Sequence, residues 1–292
     1  MNRRQALESL VAVVLFSGLI GGVAEAQWSL LAPGDRTASS GLNRYSMLVF
    51  ANPVPGLEND FNDWYTTTHM GDLVQLPGWL GAQRFRIISS VNPRPTREGY
   101  RHGYLIVWDQ EGSDYATPQA LMTAAINGGK SRRGAGFDYI GGMGGGGTFQ
   151  VIGHRISSGK KPFMPAVTDV KTPRPNRYVV MDFSNPAAGK DAEFEAGQSQ
   201  HIKDVLALPG WMAAQRYKLA PPAAGRRPNK PQYLTIWEIE AQNGQNVNQI
   251  QAALNEAVKA GKVKTVPIDE ATWEFTYWEP MTPYITKEDF VR

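Results

Sequence analysis

The sequence contains no cysteine, so disulfide bonds, thiol nucleophiles and cysteine-based metal sites are excluded. Long basic runs are also absent, and the net charge of +3 is too small to indicate nucleic-acid binding. Histidine is scarce, with four in 292 residues, and no pair has the i, i+4 spacing of a helical zinc motif. We therefore expect neither a metal site nor a nucleic-acid partner.

A long apolar run is missing as well. The stretch 10–23 falls short of the ~20 residues that a spanning helix needs. It follows Arg3-Arg4 and precedes the small-x-small sequence Ala24-Glu25-Ala26, a pattern typical of a cleaved signal peptide over 1–26. The arginine pair favours the twin-arginine route, with an ordinary secretory signal as the alternative. We predict a periplasmic or secreted protein without a stable membrane anchor after cleavage, beginning with a polar leader at 27–43.

One sixteen-residue segment occurs twice, at 69–84 and again at 201–216, with nine identical positions. In both copies the segment reads as the end of a helix, a Leu-Pro-Gly break and the start of a strand. Proline disfavours helical geometry at the residue before it, and glycine commonly ends a helix. An internal repeat of this kind predicts two copies of one folding unit.

Each copy is predicted to follow the order β-α-β-β-α-β, which is the ferredoxin-like arrangement. The first unit covers 44–158, a proline-rich linker 159–176, the second unit 177–280 and a tail 281–292. Each four-stranded antiparallel sheet has helices on one face only, so its other face must also be buried. We therefore predict an α+β fold in which two tandem ferredoxin-like units form a pseudo-dimeric α+β barrel within one chain.

The first repeat carries the run Asn62-Asp63-Trp64-Tyr65-Thr66-Thr67-Thr68-His69, then Asp72, then Leu76-Pro77-Gly78 and Ala82-Gln83-Arg84-Phe85. This pattern resembles the dimeric α+β barrel superfamily, and it is most similar to its EthD-like and polyketide-cyclase-like members. The resemblance extends over nearly all of both predicted units. It implies a ligand pocket between the helices and the sheet of one unit, but it does not single out a reaction.

His69, Asp72 and Tyr65 are the predicted catalytic residues. His69 and Asp72 are three residues apart on a helix and so share a face, and Tyr65 lies one turn earlier. A carboxylate beside an imidazole fixes its tautomer and raises its pKa, which suits acid–base work near neutrality. The alternative is a local polar pair near the end of the helix.

His201 and Asp204 repeat this spacing in the second unit, where the Trp64-Tyr65 pair has no counterpart. Counted back from the histidine, Gly197 stands where Tyr65 stands, and the helix is one residue shorter. The first repeat is therefore predicted to hold the site with the more complete set of functional residues. In the second repeat a structural role is favoured, although both residues remain candidates for substrate binding.

Gln83 and Arg84 are adjacent on a predicted strand and so point to opposite faces, as do Gln215 and Arg216. One of each pair faces the helices, where an arginine can bind a carboxylate or phenolate. Together with Trp64, the residues Gln83, Arg84 and Arg216 are candidate substrate-binding groups. The alternative for each arginine is a salt bridge across the sheet.

The glycine-rich stretch 141–147 lacks the Lys-Ser or Lys-Thr of a phosphate-binding loop and precedes a strand instead of a helix. We expect it to be a flexible lid or a plain connector.

The resemblance and the local spacing together predict an exported enzyme that uses acid–base chemistry without a tightly held cofactor. Its partner would be a small cyclic, aromatic or polyketide-like molecule, neutral or anionic, and the reaction would be a lyase, isomerase, dehydratase or cyclase step. A non-catalytic small-ligand-binding barrel is one alternative, and a haem- or oxygen-using barrel enzyme is another. A homo-oligomer is compatible with either.

Overall fold

The computed structural model describes residues 42–88, 103–132, 134, 136–138, 143–158, 176–221, 231–241 and 246–290. The predicted signal peptide, almost all of the leader and almost all of the linker lie outside these residues.

Eight antiparallel strands close into one barrel in the order β1-β3-β2-β8-β5-β7-β6-β4. The strands are β1 (Asn43–Ala51), β2 (Trp79–Ile87), β3 (Tyr104–Gly112), β4 (Met143–Ser157), β5 (Arg177–Ser184), β6 (Trp211–Leu219), β7 (Tyr233–Glu240) and β8 (Glu274–Pro280).

The barrel is two copies of one sheet joined at their edges. The first unit has the strand order β4-β1-β3-β2, and the second repeats it as β8-β5-β7-β6. The edges meet where β2 pairs with β8 and where β4 pairs with β6. Each pairing joins a strand of one unit to a strand of the other. The predicted fold class, two ferredoxin-like units forming one intrachain α+β barrel, is confirmed.

The helices are α1 (Glu58–Trp64), a π-helical segment (Tyr65–His69) that continues it, α2 (Met70–Val74), α3 (Ala116–Asn127), α4 (Asp191–Leu206), α5 (Val247–Lys259) and a 3₁₀ turn (Lys287–Phe290). The Pro-Gly breaks end the first helical run and α4 as expected, with Gly78 at φ 77° and Gly210 at φ 86°. Among the described helices, none has both the length and the apolar character needed to cross a membrane.

Buried apolar side chains form three clusters. One fills the barrel interior and takes residues from both units, including Phe85, Met181 and Leu234. The other two lie between each unit's sheet and its own helices. The outer faces of the two sheets are therefore the places where each unit can differ from the other.

The C-terminal segment, predicted as a tail over 281–292, packs onto the first unit as far as residue 290. Ile285 forms a backbone bridge with Ala82, and the Tyr284 hydroxyl donates to Asp109 Oδ2 at 3.0 Å. A Cβ on Gly71 would stand 2.8 Å from the Phe290 ring, so the two lie in close contact.

Most of the glycine-rich stretch is strand. β4 begins at Met143, and Gly144 and Gly145 pair with Phe50 and Val49 of β1. A Cβ on Gly146 would lie 2.7 Å from the Phe50 ring, so glycine permits a close approach of strand and side chain there. The lid interpretation is wrong for residues 143–147, because backbone pairing fixes them; residues 141 and 142 lie outside the described part.

Candidate active site

In the first unit, aromatic rings of the described residues pack against one another between helix and sheet. Trp64 stacks on His69 with ring centroids 4.8 Å apart and an interplanar angle of 25°. Tyr65 meets His69 edge-on at 4.8 Å, and the Phe137 ring lies 5.8 Å from Trp64. The Trp64 indole N–H also donates to the Arg132 carbonyl at 3.0 Å. These contacts lock His69 in a packed aromatic cluster.

The predicted pairing of His69 with Asp72 does not appear among their described hydrogen bonds. His69 Nδ1 lies 3.1 Å from Ser131 Oγ, whereas Asp72 Oδ2 accepts the Arg132 backbone N–H at 3.3 Å. Burial, and secondarily the charge of Arg84, lower the pKa of His69 to about 4. The expected rise of this pKa is therefore wrong, because no carboxylate offsets the desolvation. His69 is neutral at neutral pH.

Arg84 faces the helices, but its guanidinium is already occupied. The side chain is 1% exposed and donates to Asn62 O at 3.0 Å, Asn62 Oδ1 at 2.6 Å and Thr66 Oγ1 at 2.7 Å. It lies 5.0 Å from the Tyr65 ring centroid, and burial lowers its pKa to about 10. Gln83 points to the other face, where its amide donates to Thr282 O at 2.8 Å.

Arg216 is likewise engaged, by Glu195 Oε2 at 2.9 Å. Glu195 is on α4, so the partner of this arginine is a helix residue and the alternative of a salt bridge across the sheet is not what forms.

The π-helical segment accounts for the extra residue in the first repeat. Phe61 packs on Tyr104 with centroids 5.2 Å apart, and Phe194 packs on Tyr233 at 5.0 Å, so the two phenylalanines occupy equivalent places. From Phe61 to His69 the chain advances eight residues, and from the second phenylalanine to its histidine it advances seven. A π turn absorbs one added residue without breaking the helix, and such turns are frequent at functional sites.

This shift changes which residues correspond. Upstream of the π turn, Trp64 matches Gly197 and Tyr65 matches Gln198, whereas counting back from the histidine pairs Tyr65 with Gly197. The equivalence by counting is therefore wrong by one residue.

A cavity of about 680 Å³ lies in the second unit, between α4, α5 and the outer face of the sheet. The position is the one that the family resemblance implies, but in the other repeat. Its aromatic walls include Trp211, Trp237, Trp273 and Phe275, and its polar groups include Asp182, Gln198, His201 and Gln251.

The cavity opens where the second repeat has smaller side chains than the first. Phe137 and Ile268 hold equivalent places, since each bridges the proline of its unit's first turn. Gly197 replaces Trp64 and Ile268 replaces Phe137, which removes two of the rings that fill the first unit.

Asp182, on β5, is an ionisable group of the cavity that is absent from the residues proposed from the sequence. Its carboxylate accepts the indole N–H of Trp273 at 2.9 Å and of Trp237 at 3.4 Å. Burial raises its pKa, and the indole donors and the nearby His201 only partly oppose this rise. The residue as a whole is partly accessible and lines the cavity.

One signal in the sequence points to Asp182. The strand Arg177–Ser184 carries a single acidic residue amid apolar neighbours, where the first repeat has Val49. The second repeat therefore has an acid at a strand position where the first has an apolar residue. The fold does not need an acid there, since the first unit forms the same strand without one.

His201 lines the same cavity with a defined tautomer. Its Nδ1 lies 2.7 Å from the Lys264 carbonyl oxygen, which can only accept, so Nδ1 carries the proton. Nε2 of the neutral ring then has a free lone pair and is a base. Asp204 accepts the Lys264 N–H at 2.9 Å and the Gln200 amide at 2.6 Å, and these bonds lower the pKa of Asp204.

A polar chain borders α5. The Tyr277 hydroxyl donates to Gln251 Oε1, and the Gln251 amide donates to Asn255 Oδ1 at 2.8 Å. Burial raises the pKa of Tyr277, so it stays a neutral donor. Within the described ranges, no three histidine, aspartate or glutamate side chains cluster in a way that could hold a metal ion.

No family model and no curated protein matches the sequence. Among solved structures, an anthrone oxidase-like protein is 15% identical with a TM-score of 0.47, covering 83% of this chain and 93% of its own. A variant of chlorite dismutase from Candidatus Nitrospira defluvii is 13% identical with a TM-score of 0.39, covering 83% and 93%. The chain has the fold of a dimeric α+β barrel. That statement rests on the strand order, since similarity at this level says nothing about chemistry.

Within this barrel the second unit brings together a base with a fixed tautomer, a carboxyl group of raised pKa and flat aromatic walls. A carboxyl group that keeps its proton to higher pH than an ordinary aspartate can act as an acid beside such a base.

Proposed function

We propose that the protein is an acid–base enzyme that acts on a small cyclic or aromatic molecule bound in the cavity of the second unit. The observation that supports this most directly is the presence of Asp182 and His201 in one cavity of about 680 Å³. A perturbed carboxyl group and an oriented imidazole in a concave, largely apolar site are the usual signs of a catalytic centre.

In this mechanism Nε2 of His201 removes a proton from the substrate, and Asp182 holds a proton for an oxygen or carbon on the other side. Burial raises the pKa of Asp182, so the protonated carboxyl is available at higher pH than for an ordinary aspartate. One proton leaves and one is delivered, with no net redox change. A lyase, isomerase, dehydratase or cyclase step fits this balance without a cofactor.

We further propose an uncharged substrate, because the buried ionisable group of the cavity is the Asp182 carboxyl, and the lining cation Lys259 is paired with Glu256. Arg84 and Arg216, the candidates for binding an anion, are each held by a helix residue of the same unit and are not among the groups that line the cavity. The rings of Trp211 and Trp237 provide flat walls for a ring system.

Two variants test this proposal. A ligand that co-purifies with the protein is identified by mass spectrometry and returned to it in deuterated water. The wild-type protein should transform it or exchange its acidic hydrogen, and His201→Gln and Asp182→Asn should each slow this by a factor of about 10² or more. Loss of turnover in His69→Gln, with turnover retained in both second-unit variants, would place the chemistry in the first unit and reject the proposal.

The second candidate function is a non-catalytic carrier, which the aromatic and aliphatic lining favours. A carrier would return the ligand unchanged and without deuterium. A Soret band in the purified protein would instead support the haem alternative.

We also propose that the protein is exported by the twin-arginine route, on the basis of the first 26 residues. Changing Arg3 and Arg4 to lysine should leave the precursor in the cytoplasmic fraction. Processing and export at the normal rate would contradict this route.

A further inference from the structure

Gln198 is a buried side chain of the cavity without a hydrogen-bonding partner in the part of the chain that the structure describes. It is 5% exposed and lines the cavity from α4. It stands three residues before His201, so both side chains project from the same face of the helix. Neither its carbonyl nor its amide group takes part in a described hydrogen bond.

Two other polar side chains of this cavity are satisfied, whereas the Trp211 indole N–H makes no described hydrogen bond. Asp182 accepts from two indoles, and Gln251 is held between Tyr277 and Asn255. A buried carboxamide that makes no hydrogen bond is destabilising, and native proteins contain few of them. Gln198 offers both a donor and an acceptor to the cavity, and since neither has a described partner in the chain, both are available to a ligand.

A carboxamide presents an N–H donor beside a carbonyl acceptor. Its complement is a ligand edge with an acceptor and a donor side by side, as in a lactam or in a hydroxyl group next to a carbonyl. We propose that Gln198 is the specificity-determining residue of the cavity and binds such an edge of an uncharged ring compound. This proposal rests on the proposed function of the cavity.

The position of Gln198 on α4 means that its contact with the ligand also affects the proposed proton transfer. One helical turn separates it from His201, so the edge that Gln198 binds decides which ligand atom lies at the imidazole. The equivalent residue in the first unit is Tyr65, whose ring is packed among other aromatic side chains. The two units therefore differ at this position in both the space and the hydrogen-bonding groups that they offer.

The test uses two probes, 2-quinolone, which has a lactam edge, and N-methyl-2-quinolone, in which the donor is blocked. Equilibrium dialysis measures the dissociation constant of each for wild-type protein and for Gln198→Leu and Gln198→Met. We expect wild-type protein to prefer 2-quinolone roughly tenfold or more, since one hydrogen bond is worth about that factor. Both variants should lose the preference while binding N-methyl-2-quinolone as wild type does.

Gln200→Leu is the matched control, because Gln200 is exposed on the other side of the same helix and should keep the wild-type preference. Thermal unfolding confirms that each variant is folded; removing an unpaired amide should not lower the midpoint. Equal preference in wild type and in both Gln198 variants overturns the proposal, and so does a wild-type protein that binds neither probe or binds both equally.

The outcome is separable from that of the proposed function, because binding of the probes needs no proton transfer. If Asp182→Asn retains turnover while the Gln198 variants lose the lactam preference, the acid–base proposal fails and this one stands. If Asp182→Asn is inactive and the lactam preference persists without Gln198, the reverse holds.

Discussion

The two units of the barrel share a scaffold and differ in what lies between its layers. In both, a histidine near the end of the first helical run contacts the loop that follows the second helix, and an aspartate three residues later accepts a backbone N–H of that loop, from Arg132 in one unit and Lys264 in the other. This shared contact explains why the sequence repeat includes both residue types. It ties the loop to the helix, which is a structural role.

The difference lies in the rings. In the described part of the first unit, Trp64, Tyr65 and Phe137 pack together under the helices, while the second unit has Gly197, Gln198 and Ile268 at these positions and contains a cavity. After duplication, one copy can contribute stability through packing while the other holds a site with an unsatisfied amide and a buried acid. Aromatic residues beside a histidine in the sequence can thus indicate the unit in which rings pack together, and not the unit that contains the cavity.

The largest effect should come from Asp182→Asn. Turnover should fall by a factor of about 10³, because the amide cannot deliver a proton. Asp63→Asn, an exposed carboxylate in the first unit, is the control. A rate within threefold of wild type for Asp182→Asn would remove the functional difference between the units.

The pH dependence of stability gives an independent readout for the same residue. Since the pKa of Asp182 is raised in the folded state, folding stability is lost as the pH rises from the unfolded value of about 4 through the folded value. The asparagine variant should lack this loss. A wild-type and a variant protein with parallel pH profiles would show that the carboxyl group is not perturbed.

Replacing small residues of the second unit by their counterparts from the first unit should close the cavity. A Cβ on Gly197 would lie 2.9 Å from Val266 Cγ1, whereas Trp64 is in contact with Gly134 in the first unit. Gly197→Trp combined with Val266→Gly should therefore fold and lose ligand binding by a factor of about 10². Unchanged affinity in a folded double variant would mean that ligands bind elsewhere.

The reverse change should open the first unit at a cost in stability. Trp64→Ala removes a ring that contacts Tyr65, His69 and Phe137, and we expect the free energy of unfolding to fall by about 3 kcal/mol. Chemical denaturation measures this, and turnover by the folded variant should be unchanged. A loss below about 0.5 kcal/mol would contradict the packing role of this cluster.

The smallest effect concerns His69. Its pKa of about 4 in the folded state is below the unfolded value of about 6.5, so the folded state resists protonation. Stability is complete above pH 6.5 and should fall as the pH drops towards 4, by on the order of 2–3 kcal/mol. His69→Gln should remove that slope between pH 4 and 6.5, and a variant that keeps it would assign the slope to another group.

Much of the fold followed from the sequence, because a repeat, a Pro-Gly break and strand-length apolar runs are local signals. The repeat also brought His201 and Asp204 forward as candidates. The cavity could not be predicted in this way, since its lining comes from residues far apart in sequence, such as Asp182, Gln198 and Ile268. Asp182 was missed because a single acid within a strand has no motif.

The correspondence of Gln198 with Tyr65 was hidden for a different reason. A π turn adds one residue without changing the helix axis, so counting along the sequence gives the wrong partner until contacts such as Phe61 with Tyr104 fix the register. Backbone hydrogen bonding, and not residue type, decides where such a turn falls.

Each unit contributes a side chain that binds a buried acidic residue of the other unit. Tyr284, from the end of the second unit, reaches Asp109 of the first, and Arg155, from the end of the first, reaches Glu238 of the second at 3.2 Å. Each acid thus has a partner from the other unit in addition to one from its own, Ser46 for Asp109 and Arg177 for Glu238, so we expect the two units to unfold in one transition. If the chain were cut between Ser158 and Asn176, we expect the two pieces to stay associated. The two cross-unit side-chain contacts and the strand pairings between the units would hold them together without the covalent connection.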